Sequence, residues 1–348
     1  MVGQKIIMVM KNRFFYVLII AIMAIHTGCK KQNDPSALTI QKPYTYDEQY
    51  FTNLRAYKAS PHQVFYGWFA GYSNKEGVEA DYKQSASWGE HFAGLPDSLD
   101  FCSLWGGIPS LKKNDSVTTY NPIAYTEMRK SMEVRGIKML AVEITRIQKP
   151  QFKGRYPLND LGIQQYAQWL INQVKDNDLD GLDLDYEPEG DWLQNENFNK
   201  FITILGKEFG PKSSNPKKYL VIDYYSQPPL KDVEPYINLL VNQAYGAGSA
   251  NALQSIYNRV TWCPTNKFIV TETFGDYWAT GGVPFTEADG NTLSPDGKRM
   301  MSLEGMARWN PTQGPKAGWG AFYFERDYNN GPFPYVRRSI QAANPAVK

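Results

Sequence analysis

The 348-residue chain is 42% hydrophobic and 21% charged, enough apolar side chain to bury a large globular core. Its formal charge of +2 includes Lys5, Lys11 and Arg13 in residues 1–28, a stretch without an acid, so the remainder is about −1 and offers nucleic acid no electrostatic footprint. His26, His62 and His91 are scattered and no His/Cys cluster has metal-ligand spacing, so no metal and no other cofactor is expected.

The N-terminus reads as an export signal. Lys11 and Arg13 precede an apolar run from Phe14 to Ile25, too short for a comfortable membrane span. The run ends at His26-Thr27-Gly28-Cys29, which resembles a bacterial lipoprotein signal, with residues 1–28 removed and Cys29 lipidated. His26 departs from the leucine usual at its position, and a plain signal peptide or an uncleaved anchor is the alternative reading. Initiation at Met10 instead of Met1 gives a signal of more ordinary length, and both starts stay open. Residues 29–59 follow as a tether and N-terminal segment, polar from Lys30 to about Lys42. The expected location is the cell envelope, as an outer-membrane lipoprotein, surface-exposed or periplasmic, that meets the membrane through its lipid alone.

From about residue 60 strand and helix patterns alternate. Val64–Phe69 and Leu99–Trp105 read as the first two strands. Asn121–Arg135 reads as a helix, Gly136 as its turn, and 137–144 as the third strand. Residues 161–175 show Ile163, Tyr166, Leu170 and Val174 at helical spacing, and the fourth strand follows at 180–187. A helix at 197–209, a strand at Tyr219–Tyr224 and a sixth strand at 239–245 come next. A helix at 252–260, a strand at 268–274, a helix at 302–309, a strand at 319–324 and a closing helix at 335–343 complete the order. Eight strands alternating with helices predict one α/β domain, a single (β/α)₈ TIM barrel over residues 60–345. Loops 146–160 and 276–300, rich in Gly, Pro and polar residues, are expected around the mouth. For Cys102 and Cys263, a disulfide and two buried thiols both fit.

The fourth strand is Asp180-Gly181-Leu182-Asp183-Leu184-Asp185-Tyr186-Glu187. Side chains alternate faces along a strand, so Asp183, Asp185 and Glu187 share one face while Leu182, Leu184 and Tyr186 turn to the covering helices. Three desolvated carboxylates on one face cost several kcal/mol unless compensated, which points to chemistry rather than packing. A calcium loop counted from Asp183 fails, because Pro188 stands where the loop needs Gly and Gln194 where it needs a bidentate Glu.

With all four acidic positions of D-G-x-D-x-D-x-E filled, the strand resembles that of glycoside hydrolase family 18, the chitinases and endo-β-N-acetylglucosaminidases. Gln243-Ala244-Tyr245 on the sixth strand is similar to the Q-x-Y of the endo-β-N-acetylglucosaminidase branch, and the stretch Gly318 to Tyr328 looks like that of lipoprotein members from glycan-foraging Gram-negative bacteria. The chitinase branch has S-x-G-G on strand three and a Tyr-Asp pair on strand six; this chain has Leu140 to Thr145 and Tyr245-Gly246 there.

The resemblance implies Glu187 as general acid, Asp185 as the group that holds the substrate acetamide N–H, and Asp183 sharing a proton with Asp185 in one coupled set. Repulsion from Asp185 is expected to raise the pKa of Glu187. Gln243 and Tyr245 are expected to hold the acetamide. Trp68, Tyr72, Trp105, Tyr224 and Phe274, near strand ends, are candidates to stack on sugar rings, with Trp68 and Trp105 preferred. The implied partner is an N-linked glycan or another GlcNAc-containing oligosaccharide, bound by a monomer. The implied function is hydrolysis of the GlcNAc-β1,4-GlcNAc core by substrate-assisted retaining catalysis. A chitinase-type hydrolase and a surface lipoprotein that binds glycans without cutting them are the alternatives.

Overall fold

The computed structural model describes residues 45–74 and 88–345. The signal segment, Cys29 and the polar stretch to Lys42 lie outside them. Among the described residues, no helix is long and apolar enough to cross a membrane.

In chain order the elements are α1 (Glu48–Ala59), β1 (Val64–Trp68), β2 (Phe101–Ser103), β3 (Ile108–Ser110), β4 (Thr118–Tyr120), α2 (Pro122–Arg135), β5 (Lys138–Ile144) and α3 (Asp160–Asp176). They continue with β6 (Gly181–Asp185), α4 (Glu196–Leu205), β7 (Tyr219–Tyr224), β8 (Leu239–Asn242) and α5 (Ala250–Tyr257). The last are β9 (Phe268–Thr273), α6 (Phe274–Tyr277), α7 (Ser302–Arg308), β10 (Gly318–Phe322) and α8 (Pro334–Ala343). Eight of the strands close a parallel barrel in the order β1-β10-β9-β8-β7-β6-β5-β2, so the expected (β/α)₈ architecture is present.

Local chemistry explains the helix ends. Asn121 accepts a hydrogen bond from Ala124 N, Pro122 occupies the first turn, and Gly136 closes α2 at φ 69°, a left-handed conformation that a Cβ would resist. Asn159 caps α3 by accepting from Gly162 N, a bond whose loss typically costs about 1 kcal/mol. Ile163, Tyr166, Ala167, Leu170, Ile171 and Val174 give α3 one buried face. Truncating Leu170, fully buried there, to Ala would cost roughly 2–5 kcal/mol.

The barrel strands alternate as the pleat requires. Phe65, Met139, Leu182, Leu184, Leu220, Ile222, Val270 and Trp319 pack outward beneath the helices. Tyr66, Phe101, Leu140, Val221, Val241 and Ile269 fill the barrel's interior. Above that apolar plug, toward the C-terminal strand ends, the inward positions turn polar, and the site is built there.

Two features differ from the sequence reading and two refine it. Residues 48–59, read as part of a tether segment, form helix α1, which belongs to the compact unit Lys42–Lys348. Polar links anchor it: Tyr50 donates to Asp97 at 2.9 Å and Arg55 to the Val134 carbonyl at 2.8 Å. The second strand is only three residues long, and a short parallel pair, β3 and β4, follows it. Loop 276–300 is knitted by the bridges Pro284–Met301 and Leu293–Arg299. Cys102 and Cys263 are buried free thiols.

Candidate active site

Strand β6 ends at Asp185, so Glu187 lies two residues beyond the sheet, at the barrel mouth. Asp183 and Asp185 point inward and are 0% and 3% exposed, while the Glu187 carboxylate is 30% exposed. Asp183 is the deepest, and its Oδ2 accepts from Trp68 Nε1 at 2.9 Å and from Ser103 Oγ at 2.6 Å. Those donors come from β1 and β2, neither of them a neighbour of β6 in the sheet, and closure of the barrel brings them together.

A fourth carboxylate, unmarked by any motif, completes the group. Asp223 on β7 stands in register with Asp185 on β6, side by side and both inward. It is 1% exposed and within hydrogen-bonding reach of Asp183. The sequence held one signal for it, an acid within the otherwise apolar run Leu220-Val221-Ile222-Asp223. The Gln243 amide links the pair of neighbours, donating from Nε2 to Asp223 Oδ2 at 2.6 Å and to Asp185 Oδ1 at 3.2 Å. β8 stops at Asn242, so Gln243 and Tyr245 lie on the loop past the strand. Asp223 thus joins Asp183 and Asp185, and the three buried acids titrate as one coupled set.

Burial lifts every acid here. Desolvation raises Asp185 to about 8, with repulsion from Glu187 and then Asp183 adding to it. Glu187 is also raised, by burial first; Arg146 pulls it back and Glu189 pushes it up. The repulsion between Asp185 and Glu187 is mutual, so the two carboxyls titrate as a coupled pair. Arg146 donates from Nε to the Glu187 backbone carbonyl, and its Nη2 lies 3.4 Å from Glu187 Oε2 and 2.8 Å from Glu189 Oε1. Burial and the surrounding acids, Asp223 first among them, push the Tyr245 phenol well above its ordinary range, so it remains a neutral O–H donor.

The aromatic residues divide by depth. Trp68 is 1% exposed and lies beneath the carboxylates, so its ring face is not open to a sugar. Tyr224 and Phe274 are buried against the helices, and the Tyr72 ring packs on Phe69 and Phe92. Trp105 is half-buried, donates to the Tyr323 hydroxyl at 3.2 Å and meets Phe322 edge-on at 5.1 Å. Phe322 also stacks with Tyr245 at 6.2 Å, and Tyr225, 56% exposed, lies 6.3 Å from Tyr245. Trp105, Phe322, Tyr245 and Tyr225 thus form a partly open wall, the apolar face with polar edges that a sugar ring requires. Phe322 and Tyr225 carried no separate sequence signal.

Beside the mouth a groove of about 520 Å³ is lined by Gln148, Leu158, Trp192, Gln194 and Asn197. A cavity of about 680 Å³ lies at the opposite end of the strands, where Lys58, His62, Asp100 and Lys316 all have partners. Among the described residues no His/Cys/Asp/Glu group could hold a metal ion. A carboxyl of raised pKa at the mouth, a second one buried beneath it and an amide–phenol pair beside them suit acid catalysis on a substrate with an amide of its own.

Sequence and structure comparisons give the chain its relatives. The profile described as "Glycoside hydrolase family 18, BT1044-like" matches residues 31–342. The chain is 25% identical over 289 residues to endo-β-N-acetylglucosaminidase F2 of Elizabethkingia meningoseptica, spanning 79% of this chain and 77% of that one. It shares its fold with a solved selenomethionine variant of BT1044, at TM-score 0.66, 21% identity and coverage of 86% and 93% of the two chains. A mutant endo-β-N-acetylglucosaminidase from Cordyceps militaris, in complex with fucosyl-N-acetylglucosamine-Asn, superimposes at TM-score 0.62 and 22% identity, covering 87% of this chain and 98% of that one.

Proposed function

Because the chain belongs to glycoside hydrolase family 18, we propose that it is an endo-β-N-acetylglucosaminidase acting on the GlcNAc-β1,4-GlcNAc core of N-linked glycans. The observation that carries this reading is the placement of Asp185. At 3% exposure and held by Gln243, it is sunk too deep to attack an anomeric carbon, yet its free electron pairs can accept an N–H from above. A retaining enzyme of the usual kind needs a nucleophilic carboxylate about 5 Å from the acid and open to the sugar. Here the substrate's own 2-acetamido oxygen takes that part.

In the first step the acetamide oxygen attacks C1, the C1–O bond breaks, and the Glu187 proton passes to the leaving oxygen. Asp185 accepts the acetamide N–H and balances the positive charge of the oxazolinium, while the Tyr245 hydroxyl donates toward the acetamide oxygen. In the second step water adds to C1, its proton returns to Glu187, and the ring opens with retained configuration. The wall of Trp105 and Phe322 supports the sugar rings.

Incubation with a panel of N-glycoproteins tests the proposal. Released glycans should end in a single reducing GlcNAc, and the protein should keep one sugar. Cleavage of chitin oligosaccharides alone would assign a chitinase-type hydrolase, and binding without turnover a glycan-capturing protein. The same proposal places the enzyme in the cell envelope as a monomer tethered by a lipid on Cys29, supported by Lys11, Arg13 and the apolar run to Ile25. Cys29→Ala should then shift the protein from the membrane fraction to the soluble fraction.

A further inference from the structure

Asp223 takes no part in the steps above, yet it is buried beside the acids that do. It is 1% exposed, stands in register beside Asp185 and reaches Asp183. Among the described residues, Asp183 Oδ1, Asp223 Oδ1 and the Tyr66 hydroxyl are buried without a hydrogen-bond partner, and Tyr66 also lies within reach of Asp183. Two carboxylates this close and this deep cannot both be ionised, so one of them holds a proton. Asp183 already accepts from Trp68 Nε1 and Ser103 Oγ, two donors that favour its anion. Asp223 Oδ2 accepts only from the Gln243 amide. The proton therefore belongs to Asp223, and the Asp223 O–H donates to Asp183.

We propose that Asp223 is a positioning residue: a buried acid that stays neutral, keeps Asp183 occupied, and holds Gln243 so that its amide fixes Asp185 beneath the substrate. The chain of bonds runs from Asp183 through Asp223 and Gln243 to Asp185. Asp183 is withdrawn from proton exchange with Asp185, so Asp185 is free to answer to the substrate N–H and to Glu187. The role rests on the glycosidase reading given above, and one of its tests is independent of that reading.

Asparagine reproduces a neutral acid here, since its NH₂ can donate to Asp183 and its carbonyl can accept from Gln243. Asp223→Asn should hydrolyse glycans within about threefold of wild type and keep the same pH profile, because one neutral donor replaces another. Asp223→Ala removes both contacts. With its fold verified by melting, it should lose about 10²-fold in kcat with little change in KM, the scale on which misplaced catalytic groups fail. Its acid limb should move to higher pH, because Asp183 without its donor repels Asp185 more strongly. A collapse of Asp223→Asn activity, or a shifted profile for it, would overturn the proposal by showing that Asp223 works as an anion. A folded Asp223→Ala enzyme with wild-type kcat would overturn it as well.

Infrared spectroscopy of the free protein tests the proton without any substrate. Above about 8, where Asp185 ionises, a protonated carboxyl band should persist and should vanish in Asp223→Asn. Absence of that difference refutes the neutral acid whatever the enzyme cuts. A wild type that cuts no glycan refutes the glycosidase reading and leaves the infrared result standing.

Discussion

In the proposed mechanism Glu187 and Asp185, two residues apart, do different work because one is at the water and the other beneath it. Glu187→Gln keeps the shape and removes the proton, so calorimetry should find glycan binding intact while turnover falls about 10²–10⁴-fold. Asp185→Asn should also hydrolyse slowly, for lack of the charge that stabilises the oxazolinium. Supplied with a preformed sugar oxazoline, it should still transfer to a GlcNAc acceptor, whereas Glu187→Gln should transfer poorly without its base. Near-wild-type hydrolysis by Asp185→Asn would exclude substrate assistance. Arg146 sets the pH range of the acid. Its guanidinium favours ionised Glu187, so removing it raises the Glu187 pKa. Catalysis begins from protonated Glu187, and Arg146→Gln should therefore move the alkaline limb of kcat/KM to higher pH. An unmoved limb would mean that the ion pair opens when substrate binds.

The loop after β8 carries the two residues proposed to hold the acetamide, and it is held from behind. Glu272 on β9 is fully buried and accepts from Gly246 N and Thr273 N, each at 2.8 Å, and from Ser302 Oγ on α7. Gly246 has φ +70°, a turn that sets Gln243 and Tyr245 over the carboxylates. Glu272→Ala should release this loop and lower kcat/KM by about 10²-fold, a typical result of displacing catalytic groups. Hydrogen exchange should report faster loss of the Gly246 amide proton. Unchanged exchange together with full activity would show that the loop holds itself. The same element shows where sequence reading stops: Gln-x-Tyr was visible, but a strand ending at Asn242 instead of Tyr245 was not, because only the register against β7 and β9 ends the ladder.

For the whole molecule, buried ionisable groups give stability a pH dependence. Desolvation raises Asp185 from 3.8 to about 8, Glu325 from 4.5 to about 7 and Asp327 from 3.8 to about 6. The folded state then holds protons that the unfolded chain releases, so their contribution is complete below about 4 and is lost as pH rises toward about 8. Lys316, lowered from 10.5 to about 7 by burial, has the opposite sign: its folded form releases a proton first, and stability recovers between those values. Asp296, held at about 2 by Arg338, contributes above its ordinary 3.8 and loses this as pH falls through about 2. Urea unfolding should thus give the highest stability near pH 4 to 5, as a rough window from these values, and a decline toward neutrality. Asp327→Asn should flatten the decline between about 4 and about 6.

The sequence by itself determined the barrel's order of strands and helices and the face shared by Asp183, Asp185 and Glu187. Both follow from local periodicity: a pleat alternates and a helix turns whatever the rest of the chain does. It also placed α2 and α3 to within a residue, because Asn caps, Pro122 and Gly136 act on their own neighbours. It did not mark α1, whose anchors Asp97 and Val134 lie far along the chain. Nor could it place Trp68 under Asp183, Arg146 beside Glu187, or Asp223 next to Asp185. Those meetings join residues 115, 41 and 38 positions apart, and the spacing of side chains along a strand says nothing about which strand lies beside it. Closure of the sheet decided them, and with them which acid holds its proton.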